Sequence, residues 1–345
     1  MNLEPVAVVG ASGYSGEELV RLLSRHPGVD LVALTSRQLA GQTVETVFPK
    51  FAGLRYSHLA FIESDVEKIV ATGARYVFLA LPHGVAAEFA RPLVAAGLRV
   101  IDLSADFRIK DPAVYEEFYG EAPHAPELAA TSVYGLPEIY REQIRTAQLV
   151  ASPGCYPTSV IVPLYPLLKR RLLKPESLVI NSLSGVSGAG RNAKVECLYV
   201  ECNESVRAYS VPKHRHLGEI EQELSNAYGE AVTASFAPHL VPVNRGIATT
   251  IHAAPADGIG VAEIGTAYRE AYADEPFIRL LGENGTPDTK NVTFTNFIDI
   301  AWRHDPRTGR VVLLSAEDNL VKGAAGQAVQ SLNVMCGWPE TTALL

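Results

Sequence analysis

One thiol in this chain stands where a nucleophile would have to stand. Cys155 lies in SPGCYPT (152–158), after the apolar triplet Leu149, Val150 and Ala151 and ahead of a long apolar run. A glycine turn there delivers the thiol to the start of a helix. The first helical N–H groups lack intrahelical partners and carry the positive end of the dipole, which stabilises a thiolate. Pro157 fits the first helical turn, where a missing N–H costs nothing. A second constellation is KHRHLGE (213–219). His214 and His216 are candidates for acid–base work because imidazole titrates near neutrality. Glu219, three residues beyond His216, shares its helical face and is placed to orient an imidazole or to clamp the surroundings of a ligand. The competing readings are a buried structural cysteine and a basic helix start with no catalytic meaning. A zinc site built from Cys197, Cys202, His214 and His216 fails on spacing, so no metal is expected.

The third constellation is GASGYSG (10–16). Gly10, Gly13 and Gly16 recur every third residue between the first strand and the first helix. Ser12, Tyr14 and Ser15 fill the gaps. A tight turn, close backbone approach and a helix N-terminus together suit a pyrophosphate, hence a dinucleotide. The second strand ends in Ser36, Arg37 and Gln38, with no carboxylate for a ribose 2′-hydroxyl. A cation and a hydroxyl there suit a 2′-phosphate, so NADP(H) is expected over NAD.

The elements that must position these residues can be read from periodicity. Residues 6–9, 30–35, 76–81, 98–103 and 149–151 read as buried strands; 17–24 and 85–96 read as helices. Alternating strands and helices imply βαβ units and a parallel sheet. From 106 to about 143 the pattern loosens around Pro112, Pro123, Pro126 and Pro137. Strands are expected at 178–183, 232–236, 247–253, 294–301 and 310–316, with helices at 217–228 and 322–336. The fold class is therefore α/β: a Rossmann-type dinucleotide-binding domain plus an α+β domain with a large mixed or antiparallel sheet. Pro163 and Pro166 are expected to kink or break the helix that begins at Cys155.

Length and composition bound the remaining classes. The chain has 345 residues, 47% hydrophobic and 20% charged, enough for two globular domains. A net charge of −8 gives no support for nucleic-acid binding. No apolar run reaches the ~20 residues of a membrane span. The start of the chain shows neither a basic segment nor a cleavage site, so no signal peptide is expected. Four cysteines are too few for a disulfide scaffold, and a cytoplasmic location is expected.

Nine motifs spread over nearly the whole chain resemble those of the N-acetyl-γ-glutamyl-phosphate reductase family, in the superfamily that includes aspartate-semialdehyde dehydrogenase. They are GASGYSG (10–16), LALPHG (79–84), DLSADFR (102–108), YGLPE (134–138), SPGCYPT (152–158), SGVSGAGR (184–191), HRH (214–216), VPVNRGI (241–247) and DNLVKGAAGQAVQ (318–330). The resemblance implies NADPH-dependent reduction of an acyl phosphate to a semialdehyde in arginine biosynthesis, through a thioester on Cys155. It implies that His216 or His214 is the base, and that Ser12 to Ser15, Ser36 to Gln38 and Asn319 contact the cofactor. For the substrate's phosphate and α-carboxylate the candidates are Arg108, Arg191 and Arg245, because arginine offers a planar fork of donors. The implied division is 1–152 for the cofactor domain, completed by 319–345, and 153–318 for the catalytic and oligomerisation domain. A homodimer or homotetramer is implied. The alternatives are the lysine-pathway reductase of the same family, whose substrate is one methylene longer, aspartate-semialdehyde dehydrogenase itself, and a non-catalytic NADP-binding redox sensor.

Overall fold

The computed structural model describes residues 3–345. Short apolar runs buried on both faces build one sheet. Its strands are β1 (Glu4–Val9), β2 (Val29–Thr35), β3 (Phe61–Ile62), β4 (Tyr76–Leu79), β5 (Arg99–Asp102), β6 (Val133–Tyr134) and β7 (Leu149–Ala151). All pairings are parallel, in the order β3-β2-β1-β4-β5-β7-β6. The order reverses beside β1, where doubly wound sheets open a crevice at the strand carboxyl ends. Helix Ala86–Ala95 buries Ala86, Phe89, Ala90 and Leu93 in one cluster with Val77, Leu79 and Val100 of the strands. That spacing is the apolar stripe of an amphipathic helix.

A second seven-stranded sheet is mixed. It contains β8 (Leu173–Ser184), β9 (Arg207–Ala208), β10 (Ser235–Leu240), β11 (Ile247–Pro255), β12 (Ile278–Gly282), β13 (Ile298–Asp305) and β14 (Arg310–Glu317), in the order β12-β13-β14-β11-β8-β10-β9. In β11, Ile247, Thr249, Ile251 and Ala253 are buried while their neighbours are half-buried, the period-2 signature of a sheet with one core face. Helix Cys155–Lys169 packs on β11, β14 and helix His216–Tyr228.

That first helix corrects one expectation. It runs unbroken through Pro163 and Pro166. Each proline frees the carbonyl four residues back, and each freed carbonyl finds a hydroxyl. Ser315 Oγ donates to the Ser159 carbonyl (2.7 Å), and the Tyr272 hydroxyl donates to the Val162 carbonyl (2.5 Å). Tyr268 adds a bond to the Pro163 carbonyl (2.8 Å). Hydroxyls from β14 and from helix Val261–Tyr272 thus replace the bonds the prolines remove.

Other boundaries also move. The strand expected at 232–236 forms at Ser235–Leu240. The one expected at 294–301 starts only at Ile298, because Phe294 adopts a left-handed φ of 65° and gives its N–H to Asp318. The last helix begins at Gly326, after a π-type turn at Val321–Ala325. Helix Val261–Tyr272 and β12 were not anticipated. The first compact unit holds the chain through Ala113, Glu121–Pro153 and Ala324–Leu345; the second holds Val114–Gly120 and Gly154–Gly323. The short piece Val114–Gly120, expected in the first unit, therefore joins the second, and the chain returns at Ala324 rather than 319. Among the described residues no helix is long and apolar enough to cross a membrane.

Candidate active site

In the second unit, helix Cys155–Lys169 begins as the sequence predicts. Its N-cap is Gly154, in an extended conformation with no side-chain cap. Cys155 is half-buried and reduced, as are the other three cysteines. Fully buried Glu219 comes from the first turn of helix His216–Tyr228, and its Oε1 accepts the Gly154 N–H at 2.9 Å. The helix that begins at His216 thereby holds the turn that presents the thiol. Gly323 packs against the other side of Cys155. A Cβ on Gly323 would stand 2.8 Å from the Cys155 Cβ and 2.9 Å from Glu317 Oε1. Sequence reading singled out neither contact, since both join segments far apart in the chain.

Cys155, His214 and His216 line one cavity of about 350 Å³. Its walls also include Tyr156, Ser184, Gly188 and Tyr209. His214 sits edge-on to Tyr156, Tyr209 and Phe236, with ring centroids 5.4, 5.5 and 5.8 Å away. Burial, followed by the neighbouring Arg215 charge, lowers its pKa to about 4. The His216 backbone N–H donates to His214 Nδ1 at 3.1 Å. His214 is therefore neutral at pH 7 with its proton on Nε2, and the Nδ1 lone pair is engaged. The His216 ring lies 4.9 Å from that of His214 and 6.0 Å from that of Tyr156. Tyr156 and Tyr209 share a hydroxyl–hydroxyl bond of 2.8 Å. The serine–glycine loop after β8 is zipped to residues 243–246 by bonds from Gly185, Val186 and Ser187 N–H groups.

The arginines expected at substrate anions have protein partners. Arg108 is buried in the first unit and donates to the Ser152 and Leu103 carbonyls (2.7 and 2.8 Å). Arg245 pairs with buried Asp318 (3.3 Å) and stacks on Phe294. Arg191 is exposed, just past the cavity-lining Ala189. None of the three lines the cavity; its cations are Lys194 and Arg207, which lie in none of the nine motifs. Asn319 lies in the second unit; Oδ1 accepts the Gly246 N–H (2.8 Å) and Nδ2 donates to Ser187 Oγ (2.9 Å). Cys197 also lines the cavity, but no cluster of three or more His, Cys, Asp or Glu suited to a metal occurs among the described residues.

In the first unit the glycine loop joins β1 to helix Tyr14–Leu23. Gly10 has φ +79°, and a Cβ there would meet the Ala80 carbonyl at 2.5 Å. A Cβ on Gly16 would lie 2.5 Å from the Gly10 carbonyl. Gly13, by contrast, has open space over its α-carbon, with nothing nearer than 3.8 Å. Two glycines close the turn and the third leaves a face for a ligand, beside an N-terminus with no side-chain cap. Ser12 and Ser36 share a 3.2 Å hydroxyl contact, which brings the end of β2 to the loop. Arg37 and Gln38 follow and are exposed. These residues fit a dinucleotide.

Comparison with known proteins fits both units. Residues 5–147 match the family model for the semialdehyde dehydrogenase NAD binding domain, and 155–319 match the semialdehyde dehydrogenase dimerisation domain. The chain is 60% identical to the N-acetyl-gamma-glutamyl-phosphate reductase of Akkermansia muciniphila, with 98% of each chain covered. It is 53% identical to that of Geobacter metallireducens, covering 98% of this chain and 97% of the relative. The chain belongs to the N-acetyl-γ-glutamyl-phosphate reductase family. Its fold is similar to that of aspartate semialdehyde dehydrogenase II from Vibrio cholerae, solved with ASA (TM-score 0.74, 18% identity, 98% and 99% covered). It is equally similar to that of aspartate semialdehyde dehydrogenase with NADP from Candida albicans (TM-score 0.74, 16% identity, 97% and 99% covered).

Proposed function

We propose that this protein is a cytoplasmic NADPH-dependent reductase that converts N-acetyl-γ-glutamyl phosphate to N-acetylglutamate semialdehyde and phosphate, for arginine biosynthesis. The observation that carries the reading is the gathering of Cys155, His214 and His216 on one cavity. The Cys155 thiolate attacks the acyl carbon and expels phosphate, leaving a thioester and dividing one difficult step into two. NADPH, when bound, supplies the hydride that reduces this thioester. His216 gives a proton to the oxyanion of the resulting tetrahedral thiohemiacetal, whose collapse returns the thiol. In the reverse direction His216 takes that proton. His214, neutral with its proton on Nε2, donates a hydrogen bond and does not serve as the base. Glu219 keeps the turn before Cys155 fixed through the Gly154 N–H.

The open face of Gly13 and the uncapped first helix support pyrophosphate binding by Gly10 to Gly16. Ser36, Arg37 and Gln38 at the end of β2 support NADP over NAD. Arg37→Asp should raise KM for NADP at least tenfold more than KM for NAD, since it replaces a partner of the 2′-phosphate with a repelling charge; equal shifts would remove Arg37 from that role. The dimerisation-domain match and the exposed Leu198, Tyr199 and Val200 support a homodimer or homotetramer.

The deciding assay follows NADPH formation from N-acetylglutamate semialdehyde, with and without inorganic phosphate. Turnover that depends on phosphate and disappears in Cys155→Ser is expected. Faster turnover of the aldehyde one methylene longer would reassign the substrate to the lysine-pathway type, and no turnover of either would sink the reading.

A further inference from the structure

Three arginines in the glycine- and arginine-rich motifs are engaged with protein groups or lie off the cavity, yet the substrate carries two anionic ends. The cavity wall holds two cations, Lys194 and Arg207. Arg207 begins β9, the outermost strand of the second sheet, and pairs with Leu240 of β10, which in turn pairs with Ser184 of β8. At ~4.8 Å per strand, its Cα stands roughly 10 Å from that of Ser184, across the width of the cavity. Side chains alternate along a strand, so Arg207 and Tyr209 face one way and Ala208 the other. The cavity lining agrees: Arg207 and Tyr209 belong to it and Ala208 does not.

We propose that Arg207 recognises the substrate's non-reacting α-carboxylate. The proposal rests on the acyl-phosphate reading above. Arg207 is half-buried as a residue, and its guanidinium is anchored, with Nη2 donating to the Glu196 carbonyl at 2.7 Å. An anchored planar fork suits a planar carboxylate that remains bound through both chemical steps. Phosphate enters and leaves within the cycle; Lys194, exposed at the same cavity, is the cation placed for a transient anion. Recognition by Arg207 separates the α-carboxylate end from the reacting end, and so fixes which carboxyl derivative meets Cys155.

The test uses Arg207→Gln and Arg207→Lys in the phosphate-dependent assay. Two aldehydes are compared: N-acetylglutamate semialdehyde and 4-acetamidobutanal, the same molecule without its carboxylate. Arg207→Gln should raise KM for the first aldehyde about 10- to 100-fold, the range of a charge-assisted pair. Arg207→Lys, which keeps the charge but loses the fork, should fall between. The KM values for phosphate and NADP should stay within threefold. For 4-acetamidobutanal, Arg207→Gln should match wild type, since the group Arg207 would bind is missing. An equal loss on both aldehydes, or a rise in KM for phosphate instead, overturns the proposal. Wild-type turnover of N-acetylglutamate semialdehyde reports on the acyl-phosphate reading itself; only the ratios between variant and wild type report on Arg207.

Discussion

His214 and His216 are two residues apart and line the same cavity, yet their environments differ. His214 is wedged among three aromatic rings, with its Nδ1 engaged by the His216 N–H. An imidazole with a pKa near 4 has no proton to lose at neutral pH and its available lone pair is taken. The acidic limb of the kcat–pH profile should therefore belong to His216. His216→Asn is expected to lower kcat by roughly 10²–10⁴ and abolish that limb, while His214→Asn keeps it. A limb that survives the first substitution and vanishes in the second would reverse the assignment. The same burial has a thermodynamic side. The folded pKa of His214 lies below its unfolded value of 6.5, so the unfolded state binds the extra proton. Stability from this group is intact above pH 6.5 and falls as pH drops toward 4, by about 3 kcal/mol in all. Comparing denaturant unfolding of wild type and His214→Gln at pH 7 and pH 4.5 isolates this loss from that of other groups.

At the scale of elements, the helix that begins at Cys155 depends on its neighbours for backbone bonds. Tyr272→Phe leaves the Val162 carbonyl without its hydroxyl and should cost about 1–3 kcal/mol in urea unfolding. In a Pro166→Ala background the new N–H can bond that carbonyl, and the same Tyr272→Phe change should cost less than half as much. Equal costs in both backgrounds would mean the hydroxyl does not stand in for the helix bond. This dependence also marks what the sequence could and could not disclose. The glycine loop, the thiol turn and the HRH segment are local: a few consecutive residues set their geometry, and the structure places each where its pattern implied. Glu219 meets Gly154 across 65 residues of chain, and Gly323 meets Cys155 across far more. Arg207 reaches the cavity only through the pairing of a two-residue strand that no periodicity reveals. The prolines misled for the same reason, because their compensating hydroxyls come from β14 and a distant helix.

Across the whole molecule, one buried carboxyl carries a pH dependence opposite to that of His214. Asp102 ends β5 in the first unit; Ser104 Oγ donates to its Oδ2, and Oδ1 has no hydrogen-bond partner. Burial, with nearby Asp106, raises its pKa to about 7. The folded state thus holds a proton that the unfolded state releases near pH 3.8, and stability drains as pH climbs from 4 to 7, by at most about 4 kcal/mol. Asp102→Asn should raise Tm at pH 8 and have little effect at pH 4; a gain confined to low pH would contradict this sign. The way the chain is shared between the units has a different consequence, one of timing. The second unit needs nothing beyond Gly323, whereas the first draws on Ala324–Leu345, including a helix packed against the first helix and Pro137–Thr146. During synthesis, every segment of the unit that carries the thiol is made before the last helix of the glycine-loop unit. The nascent polypeptide therefore possesses its candidate thiol before it possesses a finished glycine-loop unit.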